Sequence, residues 1–242
     1  MSNDEMGRML AAKMACQLEI SKIDLTADGL RAMIPIMQEA GIIDKKMFGG
    51  GKQQTPLAWA CWRLDLALIR DLLTAGASPT APSGAEEPPL MAAMAADGDL
   101  AARLPCLDLL FASGADVHQR NQFGQQAIHV AVRYLPGQEL ARWAISRGAD
   151  PLSQWRRGST LSHAVDANCV EGARMLVEAA AQDAQPGEAG ALKIREAIAN
   201  TMTGRRCETA SLIIEGLSAA LERKAIAESA PVVKASARAP RI

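Results

Sequence analysis

Three times in this chain an apolar run closes on nearly the same phrase: Gly76-Ala77-Ser78-Pro79, Gly114-Ala115-Asp116-Val117 and Gly148-Ala149-Asp150-Pro151. The glycines stand 38 and 34 residues apart, and Gly41 precedes the first of them by 35. Recurrence at this interval marks a supersecondary unit repeated along the chain. One unit is too small to cover its own apolar face, so neighbours must cover it, and the chain is expected to stack rather than close around one centre. Helices suit the composition. Hydrophobic residues make up 49% of the sequence but aromatics only 3%, so the interior must come from Ala, Leu, Ile, Val and Met, which fit closely packed helix pairs.

Each unit opens with a helix-start signal about twenty residues ahead of its glycine. In Gln54-Thr55-Pro56-Leu57-Ala58-Trp59-Ala60-Cys61, Thr55 is placed to cap and Pro56 suits the first turn. The run from Leu64 to Leu73 predicts a second helix with one broad apolar face, and Gly76 supplies its left-handed stop. Pro88-Pro89-Leu90-Met91 ahead of Cys106-Leu107-Asp108-Leu109-Leu110 repeats the arrangement, with inserted residues around 97–105 accounting for the longer interval. It recurs from Gly124 through Ala131 and from Gly158 through Val165. The unit reads as helix, turn, helix and an extended finger.

These phrases, T-P-L-x-x-A followed by L-L-x-x-G-A-D, resemble the ankyrin repeat, whose usual wording is T-P-L-H-x-A at a period of about 33 residues. The resemblance implies an all-α fold: an ankyrin-repeat solenoid of stacked helix-turn-helix units with extended fingers. Its copies are degenerate. Thr-Pro is complete only at Thr55-Pro56, and the family histidine stands only at His129 and His163. The expected organisation is an N-terminal helical cap with a divergent repeat (1–52), repeats over 53–182, a C-terminal helical cap (183–228) and a disordered tail (229–242). Helices are expected at 9–20 and 30–37 in the first cap and at 191–202 and 208–227 in the second, because end units with an uncovered face need a more polar outer side.

A net charge of −1 and a pI near 6.3 argue against nucleic-acid binding. The N-terminal region has no apolar run that would serve as a signal peptide or membrane span, so a cytoplasmic location is expected. Cysteines 16, 61, 106, 169 and 207 are odd in number, widely spaced and without a C-x-x-C pair, which suggests neither a disulfide framework nor a zinc site. They read as reduced core residues. His129 and His163 occupy equivalent places 34 residues apart, and the resemblance implies that each ties finger backbone. Ser162, His163 and Asp166 make a triad only on paper, since adjacent helical residues point apart. Gly49-Gly50-Gly51-Lys52 lacks the spacing of a phosphate loop and reads as a finger tip. No catalytic residue, metal or cofactor is expected.

The remaining signal is where large side chains fall. The ankyrin resemblance implies that first helices and finger tips line a concave face. Trp59, Trp62 and Arg63, then Arg133 and Tyr134, would project there from helices, and Arg120, Phe123, Trp155, Arg156 and Arg157 from fingers. Trp, Tyr and Arg dominate binding hot spots, so these ten are the candidate partner-binding residues and are not expected in the core. Trp143 and Met33, Met37, Met91, Met94 and Met175 are assigned to packing. The leading reading is a non-enzymatic module, monomeric when free, that binds another protein through its concave face. Its specific version is a bacterial immunity protein that blocks a cognate toxin. The alternatives are an injected effector that binds a host protein, a scaffold, and an enzyme with its site in the caps.

Overall fold

The computed structural model describes residues 26–46, 53–133, 138–156, 158–166 and 170–183. The helices expected at 9–20, 191–202 and 208–227, the glycine run at 49–51, the tail, Tyr134 and Arg157 lie outside them. The fold is all-α. Among the described residues it comprises α1 (Ala27–Glu39), α2 (Pro56–Trp62), α3 (Leu66–Thr74), α4 (Pro89–Ala95), α5 (Leu100–Ala112), α6 (Ala127–Arg133), α7 (Gln138–Ile145), α8 (Thr160–Asp166) and α9 (Val170–Asp183). A short antiparallel ribbon, β1 (Gln154–Trp155) with β2 (Gly158–Ser159), and one 3-10 turn (Gly84–Glu86) complete it. No described helix is long and apolar enough to cross a membrane.

Helices pair in sequence order, α2 with α3, α4 with α5, α6 with α7 and α8 with α9. The short first helices α2, α4, α6 and α8 pack in one row, each against the next. Second helices form the other row, α1 against α3, α3 against α5 and α7 against α9. The core lies between the rows. Its largest fully buried side chains are drawn from many units, including Met37, Leu57, Leu68, Leu90, Met94, Leu107, Ile128 and Leu140. All seven residues of α4 are buried. That follows from its place, because a first helix touches its own partner and a first helix on either side.

Local sequence accounts for the elements. The Thr55 hydroxyl accepts from the Ala58 N–H at 3.2 Å and Pro56 opens α2. Asp65 caps α3 through Leu68 N–H, at 3.0 Å, and Asp99 caps α5 through Ala102 N–H, at 2.8 Å. Two boundaries differ from expectation. Leu64 stands in the turn before α3 with φ of 54°, so that helix starts at Leu66. The insertion in the 38-residue interval lies largely within α5, which begins at Leu100 and runs 13 residues with Pro105 inside it, where α7 runs 8.

The recurrent glycine-alanine phrase is a helix terminator with two bonds. Gly76, Gly114 and Gly148 have φ of 92°, 98° and 91°. The following N–H groups, of Ala77, Ala115 and Ala149, reach back to Leu72, Leu110 and Ala144 carbonyls at 2.9–3.1 Å, while the glycine N–H groups bond one residue later. This is the Schellman arrangement, which satisfies the helix's last carbonyls. Each alanine is buried, so a larger residue would meet the core. The aspartates at the third position bend the chain. Asp116 and Asp150 carboxylates accept the N–H two residues on, at 2.8 and 2.9 Å, turning the backbone into the finger.

Four fingers follow α1, α3, α5 and α7, and each is tied to the next. Asp44 accepts from Ser78 N–H at 2.9 Å, Gln119 donates to the Thr80 carbonyl at 2.8 Å, and Arg120 donates to the Gln154 carbonyl at 3.2 Å.

Candidate functional site

The third and fourth fingers carry the densest set of fixed polar side chains and lie against the row of first helices at His129. That imidazole is fully buried, and both ring nitrogens are engaged. Nδ1 accepts from the Gln126 N–H at 3.0 Å, which leaves Nε2 to donate to the Ser153 carbonyl at 3.1 Å. Ser153 O also receives the Thr160 N–H and hydroxyl, each at 3.0 Å. Gln126 extends the network, donating to the His118 carbonyl at 3.1 Å and accepting from the Ser153 hydroxyl. His129, on α6, therefore ties finger backbone as the resemblance implied. Burial pushes its pKa down to about 4, helped by the nearby His163 and Arg120 and opposed by its bond to Ser153.

Trp155 covers this network. Its ring lies 5.1 Å from that of His163 at a shallow 31° and 6.4 Å from His129. Ser162 is committed elsewhere. Its hydroxyl donates to the Ser159 carbonyl and accepts the Ser159 N–H, both at 2.8 Å, and the Ser159 hydroxyl accepts the Ser162 N–H at 3.1 Å. The serine thus closes the start of α8.

The third finger's outer loop is rigid. Asn121 Oδ1 accepts from the Phe123 and Gln125 N–H groups, each at 3.0 Å, and the Asn121 carbonyl accepts from Gly124 N–H at 2.8 Å. Gly124, at φ of 82°, turns the chain where a side chain would also come within 3.8 Å of Arg156. Phe123 is consequently held out at the tip, 45% exposed. Arg120 braces the same loop, its Nη1 donating to the Gly124 carbonyl at 2.7 Å as well as to the Gln154 carbonyl. Between the fingers is a concavity of about 510 Å³, lined by Arg120, Asn121, Gln154, Trp155 and Arg156, with Glu86 contributed by the second finger.

The structure thus gathers Arg120, Trp155 and Arg156 around one depression, whose lining also includes Gln122 and Gly124 on either side of Phe123 in the chain. It corrects the expectation for Trp59. That indole is only 9% exposed and belongs to the core, with the Arg63 guanidinium over its ring at 4.9 Å. The cause is the crowding of α2, whose residues Pro56 to Cys61 are all buried between α3 and α4. Trp62 is half-buried against the core and Arg63 is exposed, and neither lines the depression. Arg133 ends α6.

Sequence reasoning did not single out Gln126, Ser153 or Glu86. A polar residue at a buried place of the repeat, where the other units carry Thr55 and Thr160, was the available signal for Gln126. Trp143 and the five methionines are buried as assigned. Cys61 and Cys106 are buried free thiols, and burial raises both. Among the described residues no three His, Cys, Asp or Glu side chains converge as metal ligands would. Compared against protein-family models and against curated proteins, the chain finds no match.

Proposed function

We propose that this chain is an ankyrin-type repeat array that acts without catalysis, binding a partner protein through its fingers and the neighbouring ends of its first helices. One observation carries the reading: Phe123, a large apolar side chain, is held exposed on a hydrogen-bonded tip whose neighbouring residues Gln122 and Gly124 line the same depression as the exposed Arg120 and Arg156. Keeping an aromatic ring in water costs burial that folding could have gained. A loop stiffened beforehand loses little conformational freedom when it binds. Aromatic and arginine side chains on such a platform are the usual makings of a hot spot.

The stacked helix pairs and the two-bond glycine terminators support the ankyrin reading, as does the buried histidine on finger backbone. The partner is sought by retaining proteins from the native source on the tagged full chain. Phe123→Ala should weaken the recovered complex at least about tenfold, while Arg70→Ala, on the exposed side of α3, should leave it unchanged. Retention of a toxin would support the immunity-protein version, and retention of a foreign host's protein the effector version. A complex indifferent to Phe123→Ala and broken by second-helix substitutions would reject the surface.

A further inference from the structure

We infer that the partner segment received between the third and fourth fingers is acidic: a protein loop that brings carboxylate to Arg156 and Arg120 and an apolar side chain to Phe123. The inference rests on the protein-binding reading and adds the chemistry of the partner.

Charge is the first ground. The whole chain carries −1, yet the depression sets two guanidinium groups against the single carboxylate of Glu86. With both guanidinium groups on one depression, their attraction adds on an anion that enters it. Arg120 is the second ground. Its two bonds go to backbone carbonyls, which orient the guanidinium without neutralising it, and both use Nη1 alone. Donors remain on Nη2 and Nε, in the planar fork that suits a carboxylate. An arginine already fixed in place forfeits less side-chain entropy when it pairs.

Phe123 separates a protein loop from other anionic partners. An exposed ring on the loop that lines this basic depression fits a segment of mixed acidic and apolar residues, whereas a nucleic-acid backbone calls for a longer basic track than two arginines supply. The depression's volume, about 510 Å³, takes a few side chains and not a folded domain. Glu86 gives the inference a sign that can be tested in the opposite direction. It is a like charge to the proposed occupant, so its removal should strengthen binding.

The experiment selects displayed random dodecapeptides on the immobilised full chain, in parallel with an Arg156→Glu chain. Wild type should enrich sequences with two or more Asp or Glu beside an apolar residue, and Arg156→Glu should not. For the best peptide, made synthetically, Arg156→Gln should weaken binding about five- to tenfold and Glu86→Gln should tighten it, with Arg70→Gln as an unaffected control. Affinity should also fall as salt rises from about 50 to 300 mM. Enrichment of neutral or basic peptides overturns the inference, as does no enrichment, or acidic peptides indifferent to both substitutions. Arg156-dependent binding of a labelled oligouridine in place of peptide would assign the site to nucleic acid and overturn it too. None of these outcomes touches the broader reading, which stands or falls on the recovered partner's response to Phe123→Ala.

Discussion

His129 couples the third unit to the fourth finger through a proton it must not gain. With Nδ1 accepting from Gln126 N–H and Nε2 donating to Ser153 O, a second proton on Nδ1 would set one N–H against another. The folded pKa of about 4 lies below the ordinary 6.5, so the folded chain binds fewer protons than the unfolded one in between. Stability from this group is therefore complete above about pH 6.5 and is lost as the pH falls towards 4, amounting to about 3 kcal/mol at most. Urea titrations across that range should show a steeper acid loss for wild type than for His129→Gln, and equal slopes would refute the assignment. At neutral pH His129→Ala should cost about 1–2 kcal/mol in lost hydrogen bonds. His129 was legible because the repeat fixes its place. Trp59 was not, since its outward position followed from an idealised repeat, whereas its burial comes from the packing of α2 against both α3 and α4.

Between second helices, α5 and α7 are joined by side chains. Arg147 lies over the Trp143 ring at 4.1 Å and the Phe111 ring at 5.4 Å, and donates to Asp108 at 2.5 Å. Trp143 Nε1 donates to the same carboxylate at 2.8 Å. Because the guanidinium is a quarter exposed and Asp108 half exposed, solvent screens the ion pair and the stacked rings carry more of the contact. Arg147→Ala should lower unfolding free energy by about 1 kcal/mol, and Arg147→Lys should restore little of it, because an ammonium lacks the flat face. Chemical denaturation of the three chains decides this. Full recovery by lysine would mean that charge alone acts. Sequence placed Trp143 in the packing but gave no sign of Arg147, which meets Asp108 only because the units stack in register.

Across the molecule, each helix pair is covered by its neighbours, so loss of one contact is felt next door before it is felt far away. Amide hydrogen exchange should be slowest in α4 and α6, whose first-helix neighbours lie on both sides, and faster in α1 and α9 at the ends of the described rows. Uniform protection from α1 to α9 would instead indicate a single cooperative block. The period made this architecture readable, as did the glycines with positive φ. Finger-to-finger ties such as Asp44 to Ser78 were not, being contacts 34 residues apart between unremarkable polar residues.

The helix α4, Pro89-Leu90-Met91-Ala92-Ala93-Met94-Ala95, carries no polar side chain at all. A ribosome that has just released it has made a surface whose covering, α5 and α6, does not yet exist. The half-made chain is therefore at its stickiest between roughly residues 96 and 133, and it depends on rapid synthesis or a holding chaperone there. The finished protein carries the same debt in reverse. A protease cut in the exposed Asp97–Asp99 turn would leave two pieces that each need the other's apolar face, so they would stay joined as a nicked whole.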